Sequence, residues 1–160
     1  MRDVTIIFPI NEDYIFLGNK KRGFGKGKIN GFGGKYTPQD KTIEEAALRE
    51  LFEEIGIKSK LEHLQKVGVI EFSFPPEKAK EWNQRAHVYF LNQWEGEPSE
   101  SEEMTVEKYK INEIPYEKMW DTDQHWMPKL IEGKKIKAKF EFEADFNTTK
   151  SFDITEVDEL

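Results

Sequence analysis

The chain contains no cysteine, which excludes disulfide cross-links, thiol nucleophiles and cysteine-ligated zinc together. Histidine is nearly as scarce: His63, His87 and His125 are the only three, and they share no metal-ligand spacing, so core or surface roles are assigned to them. No apolar run approaches the roughly 20 residues of a membrane span. The opening stretch MRDVTIIFPINEDY carries only a short apolar run, broken by Pro9 and followed by charge. It reads as a strand rather than a signal peptide, which sets the expectation of a cytoplasmic protein. An excess of basic charge is also missing, since 24 Lys and Arg against 31 Asp and Glu leave a formal net charge of −7. Polymeric nucleic acids are bound by neutralising phosphates on a basic face, so this balance argues against such a partner and not against a small nucleotide. The expected partner is a small molecule, and the protein is expected to be a monomer. Its 160 residues suffice for one domain, spanning 1–160, with a sizeable core.

What the chain does have is concentrated between Gly31 and Ile57, GFGGKYTPQDKTIEEAALRELFEEIGI. Thr42 followed by Glu45 makes a capping box, Ile43 begins an apolar stripe, and Gly56 supplies a left-handed stop. At about 100° per residue, Glu50, Glu53 and Glu54 share one helix face, while Leu48, Leu51, Phe52 and Ile55 share the opposite one. Like charges at such spacing destabilise an ordinary surface helix, so a cation is expected among them. Oxygen-only ligands point to a hard divalent ion, Mg2+ first and Mn2+ next.

The rest of the chain alternates short strand patterns with turns. Strands are expected over Val4–Phe8, Tyr14–Leu17, Lys66–Phe74, Ala86–Leu91 and Val106–Ile111, a short helix over His125–Glu132, and a terminal pair over Ile136–Ala144 and Phe152–Val157. Pro75–Gln84 reads as a polar connection and Glu95–Glu103, EGEPSESEE, as a short acidic linker. Asn147-Thr148-Thr149 matches a glycosylation acceptor but is read as a turn. Gly23, Gly25 and Gly27 lack the spacing of a phosphate-binding P-loop, and Lys20, Lys21 and Arg22 beside them suit either phosphates or a solvated edge. Mixed strands with one strong helix and weaker ones indicate an α+β fold.

The pattern G-x5-E-x7-R-E-U-x-E-E-x-G-U, with U aliphatic, resembles the signature of the Nudix hydrolases. Arg49-Glu50-Leu51-Phe52-Glu53-Glu54-Ile55-Gly56-Ile57 matches its second half fully. The first half departs from it: one extra loop residue restores Gly34 as the glycine, but Lys41 stands where the first glutamate belongs, with Asp40 beside it as a substitute. Further segments extend the likeness to the MutT-type branch, the animal 8-oxo-dGTP diphosphatases. They are Lys20–Gly25, Asn30–Lys35, Glu100–Met104, Ile114-Pro115, Met119-Trp120, Trp126 and the terminal hairpin with Glu156–Asp158. Loop insertions interrupt the likeness near Pro38 and in Pro75–Gln84.

The resemblance implies an α/β/α sandwich with a mixed sheet that hydrolyses damaged purine nucleoside triphosphates to monophosphate and pyrophosphate. It implies that Glu50, Glu53 and Glu54 hold the metal with the Gly34 carbonyl and Glu103, and that Arg49 orients the carboxylates. Glu53 is the first choice for general base and Glu103 the second. The base pocket would be lined by Thr5, Phe24, Asn30, Phe72, Met104, Trp120, Thr122, Asp123 and Trp126, with Lys20 reaching the phosphates. Thr122 replaces the first of two adjacent aspartates, and a hydroxyl that donates or accepts without titrating implies a flatter pH dependence. The alternatives are Nudix chemistry on another nucleoside diphosphate derivative, or a nucleotide sensor with little turnover.

Overall fold

A computed structural model describes residues 1–160. Eight strands and three α-helices follow one another as β1 (Arg2–Pro9), β2 (Tyr14–Asn19), β3 (Ile29–Asn30), α1 (Ile43–Ile55), β4 (Leu64–Ser73), α2 (Pro76–Trp82), β5 (Gln84–Leu91), β6 (Glu107–Lys110), α3 (Asp123–Ile131), β7 (Lys135–Phe142) and β8 (Thr149–Val157). The main sheet has the order β1-β5-β4-β7-β8; β1 runs parallel to β5 and β4 parallel to β7, while β4–β5 and β7–β8 are antiparallel. A smaller sheet, β3-β2-β6, stands beside it. No helix is long and apolar enough to cross a membrane.

Both faces of the main sheet are covered, which produces the expected sandwich. On one face Ile7, Tyr89 and Leu91 pack with Ala47, Leu51 and Ile55 of α1. On the other, Phe8, Val88, Ile70, Ile136 and Phe140 pack with Trp126, Met127 and Leu130 of α3. Strand alternation explains this division, because neighbours such as Ile7 and Phe8 must point to opposite sides.

Two expectations about local structure change. Pro75–Gln84 is not merely a polar connection but carries α2, which begins at the preorganised backbone of Pro76. Within α1 the buried stripe is Ala47, Leu51, Glu54 and Ile55, while Phe52 is exposed beneath the Lys58 ammonium and Leu48 is only half-buried. Ala47, Leu51 and Glu54 follow the i, i+4, i+7 repeat, so one of the three acidic residues necessarily falls on the packed side. The acidic linker is a fitted strap: the Ser99 amide donates to Ile55 O, and the Glu103 carbonyl accepts from the Lys21 amide.

Candidate active site

The start of α1 is fixed as its sequence requires. The Thr42 hydroxyl accepts from the Glu45 amide at 3.1 Å, while the Glu45 carboxylate accepts from the Lys41 amide at 3.2 Å. Gly56 closes the helix at φ 75° with its N–H on Phe52 O.

Arg49 organises the loop that precedes α1. Its Nε donates to Asp40 Oδ1 at 2.8 Å and its Nη2 to Asp40 Oδ2 at 3.0 Å, a two-pronged grip that holds the Asp40 carboxyl well below the usual carboxylate range. Nη2 also reaches Lys35 O at 3.1 Å, and Nη1 reaches Glu50 at 3.1 Å and both oxygens of Glu53 at 3.3 Å. Lys41 points to solvent. The anionic partner of Arg49 in the loop is therefore Asp40, one residue before the position where the signature places glutamate.

The acidic side chains of α1 lie in three different environments rather than converging on one point, and no group of three stands placed to share an ion. Glu53 turns outward to Arg49 with its side chain 50% exposed. Glu50 is half-buried beneath Gly34, where a Cβ would lie 2.5 Å from its carboxyl carbon and displace the carboxylate. Burial raises the Glu50 pKa, Glu53 and Glu103 add to that effect, and Arg49 opposes it. Glu54 is 3% exposed and accepts the Gly33 amide at 2.7 Å. Burial pushes its pKa up to about 8, with the Gly33 N–H and Lys20 opposing and Glu50 and Glu103 adding.

The Gly34 carbonyl, expected as a ligand, already accepts the Thr5 amide at 2.9 Å, whereas the neighbouring Gly33 carbonyl accepts nothing. Half-buried Glu50 and buried Glu54, beside an unclaimed carbonyl and both within reach of the Glu103 charge, offer only oxygen donors, which suit a hard divalent cation.

A cavity of about 470 Å³ begins at Glu54, Gly33 and Gly34 and extends over the α3 face of the sheet. Thr5, Lys20, Phe24, Asn30, Phe72, Met104, Trp120, Thr122 and Asp123 all line it. Trp126 does not: it is fully buried, packs against Phe8, and donates from Nε1 to Asp123 Oδ1 at 3.1 Å. Its indole lies one helical turn along α3 and thus faces the core, where it positions the aspartate rather than meeting a ligand. Trp120 stacks on Phe24 with centroids 5.5 Å apart.

Asp123 is the most unusual group in the cavity. Oδ1 receives both the Thr122 hydroxyl, at 3.2 Å, and Trp126 Nε1, while the buried Oδ2 has no partner. Desolvation pushes its pKa up to about 7, against the pull of those donors and the more distant Lys28. A carboxyl raised to about 7 by burial sits beside the Thr122 hydroxyl, so this end of the cavity still holds one titratable group. The Thr122 hydroxyl is spent on this carboxylate rather than aimed at a ligand.

The sequence reading missed several cavity residues: Arg2, Lys28, Glu81, Trp82 and Gln84. Lys28 stands 5.5 Å above the Trp120 ring and donates to Asn147 Oδ1 at 2.8 Å. Its place two residues before Asn30 was the available signal. The others come from β1 and from the insertion around α2, where nothing in a single sequence reports which way a side chain faces. Lys21 and Arg22 are engaged with the acidic strap through Glu100 and Glu103, leaving Lys20 as the member of that basic run in the cavity.

The family model for the NUDIX domain matches residues 1–130. The chain is 38% identical over 156 residues to a mouse protein named oxidized purine nucleoside triphosphate hydrolase, covering 96% of this chain and 94% of that one. It is 39% identical over 140 residues to a zebrafish protein of the same name, covering 88% and 86%. Among solved structures, a MutT protein from Bacillus halodurans superposes with a TM-score of 0.77 at 22% identity, covering 96% of this chain and 97% of that one.

Proposed function

The chain belongs to the Nudix family, and from that premise we propose that it hydrolyses oxidised or otherwise modified purine nucleoside triphosphates to the monophosphate and pyrophosphate, removing damaged bases from the nucleotide pool. The observation that carries the substrate class is Asp123 Oδ2, a buried, unpartnered acceptor in an aromatic cavity that opens onto the acids of α1. A buried polar atom without a partner costs free energy, which a ligand donor recovers.

Nudix hydrolases use divalent metal ions, and magnesium is the proposed ion here, with manganese as a substitute. Glu50, Glu54 and the Gly33 or Gly34 carbonyl would hold it, with Glu53 and Glu103 at the margin. Bound there, such an ion neutralises charge on the phosphate oxygens and acidifies water. The side chains supply the remainder. Glu53, steadied by Arg49, takes the proton of the attacking water; the water oxygen bonds to phosphorus as the anhydride bond breaks, and pyrophosphate leaves. Lys20 adds positive charge beside the phosphates, and Asp40 fixes Arg49 so that Glu50 and Glu53 keep their relative positions.

At the other end, Trp120 and Phe24 provide flat faces for a purine. Ionised Asp123 accepts from the ring N–H and exocyclic amine of a guanine-type base, and protonated Asp123 donates to an adenine-type ring nitrogen. Guanine-type turnover is thus favoured above about pH 7 and adenine-type below it. The test is a panel of unmodified, 8-oxo, 2-oxo and alkylated purine triphosphates with magnesium, measuring both phosphate products. Pyrophosphate released fastest from the modified members is expected. A panel left both unbound and uncleaved points to another nucleoside diphosphate derivative, and tight binding without turnover to a sensor.

A further inference from the structure

The cavity continues past the aromatic pair to an end whose composition differs from the rest. There Arg2 of β1 and Gln84 of β5 occupy paired positions on the sheet floor, and Glu81 and Trp82 of α2 form the adjoining wall. Arg2 Nε is buried and makes no hydrogen bond. The Gln84 side-chain amide makes none within the protein either, although its strand neighbours are fully engaged in the β1–β5–β4 ladder. The wall opposite is held in place by aromatic edges: Trp82 lies 5.1 Å from Phe24, 5.4 Å from Phe74 and 5.5 Å from Phe146, ring centre to ring centre. No residue of α2 is buried, so these contacts, with the Asn83 Oδ1 bond to the Phe74 amide at 2.7 Å, fix the helix over the sheet.

We propose that this end is a second recognition compartment, in which Arg2 and Gln84 donate to an acceptor oxygen carried by the modified purine while Trp82 covers the substituent. The inference rests on the proposed purine-nucleotide reading and adds to it the feature by which a damaged base is told from an intact one. Two facts favour an acceptor. An unpaired guanidinium N–H in a partly dry site gains most from an oxygen, and the cavity already holds an unpaired acceptor in Asp123, which claims the donors of the base. A base oxidised at C8 presents a carbonyl oxygen where the intact purine has only C–H, so at that edge the oxidised base meets the Arg2 donor and the unmodified base does not. That is the condition under which polar sites discriminate most strongly.

Calorimetric binding of 8-oxo-dGMP and dGMP to the full chain tests this without requiring turnover. Arg2→Met should lower the affinity ratio of the two by about tenfold, the loss of one hydrogen bond to a charged donor. Arg2→Lys, which keeps the charge but lacks the Nε–H fork, should lower it nearly as much. Gln84→Leu addresses the second donor from another strand and should lower it less, so the proposal does not hang on one variant folding. Thermal unfolding of each variant reports whether the fold survives. Equal weakening of both ligands, or a ratio unchanged in all three variants while the wild-type chain prefers the oxidised base, overturns the second compartment alone. A wild-type chain that binds neither nucleotide overturns the purine reading and this inference together.

Discussion

Replacing Asp123 with asparagine should make the protein more stable at alkaline pH while damaging its recognition of guanine-type bases. Burial raises the carboxyl pKa from its ordinary 3.8 to about 7 in the folded chain, so the folded state holds the proton more tightly than the unfolded one. The contribution of this group to stability is therefore complete below about pH 4 and is lost as pH climbs through about 7. That rise corresponds to about 4 kcal/mol of cost once the group is ionised. Asparagine removes that cost, but its Nδ2 takes the place of the unpartnered Oδ2, and an unmet buried donor returns about 1–3 kcal/mol. The net gain is about 1–3 kcal/mol at about pH 8.5, or roughly 3–10 °C in Tm for a domain of this size. At about pH 5 the wild-type chain has lost only about 2 kcal/mol, through ionisation of its unfolded state, which roughly offsets the asparagine penalty, so the two proteins should melt within about 5 °C of each other. Thermal unfolding of both chains without nucleotide, across that range, isolates Asp123 because Glu54 is common to both. A difference that fails to move in favour of the asparagine variant as pH rises refutes the reasoning. Catalysis should move the other way, with kcat/KM on guanine-type substrates falling about 10-fold to 1,000-fold.

Two further substitutions address the hydrolytic end. Glu53→Gln removes an exposed carboxylate that packs against nothing apolar, so it should leave Tm nearly unchanged while lowering turnover by about 100-fold or more; near-normal turnover in the purified variant excludes Glu53 as the base. Asp40→Asn should lower kcat because Arg49 loses its bidentate partner, whereas Lys41→Glu should leave the rate within about threefold, since the Lys41 side chain is solvated. A larger effect at Lys41 than at Asp40 in steady-state assays shows that the loop has the opposite arrangement in solution.

The hydrolytic end was legible in the sequence because it is local. Thr42, Glu45, Arg49 and Gly56 fix a helix through contacts three and four residues apart, and such contacts can be counted along a chain. The fold class followed from the same kind of signal, alternation in strands and a repeat in α1. The base end was legible only through resemblance, which named Phe24, Asn30, Trp120 and Asp123 but also brought in Trp126, whose indole faces the core. Arg2, Trp82 and Gln84 were hidden because their proximity depends on β1 and β5 lying side by side, a pairing between residues more than 80 positions apart. The place of Glu54 was half-visible: its residue type announced an acid, but only packing shows it buried, with its carboxyl pushed up to about 8.

The segment that carries the base-reading residues is fastened from behind. Asp121 Oδ2 accepts the Thr149 amide at 2.8 Å at the start of β8, and Lys28 is tied to Asn147 in the same hairpin. Both anchors lie beyond residue 130, where the family match ends, while every acid of the hydrolytic end lies before it. On the proposed reading, the base end is thus braced by a stretch of chain that makes no hydrogen bond to the acids of the hydrolytic end. Substitutions in the β7–β8 turn that break either bond are therefore expected to alter the choice of base before they alter the rate of hydrolysis.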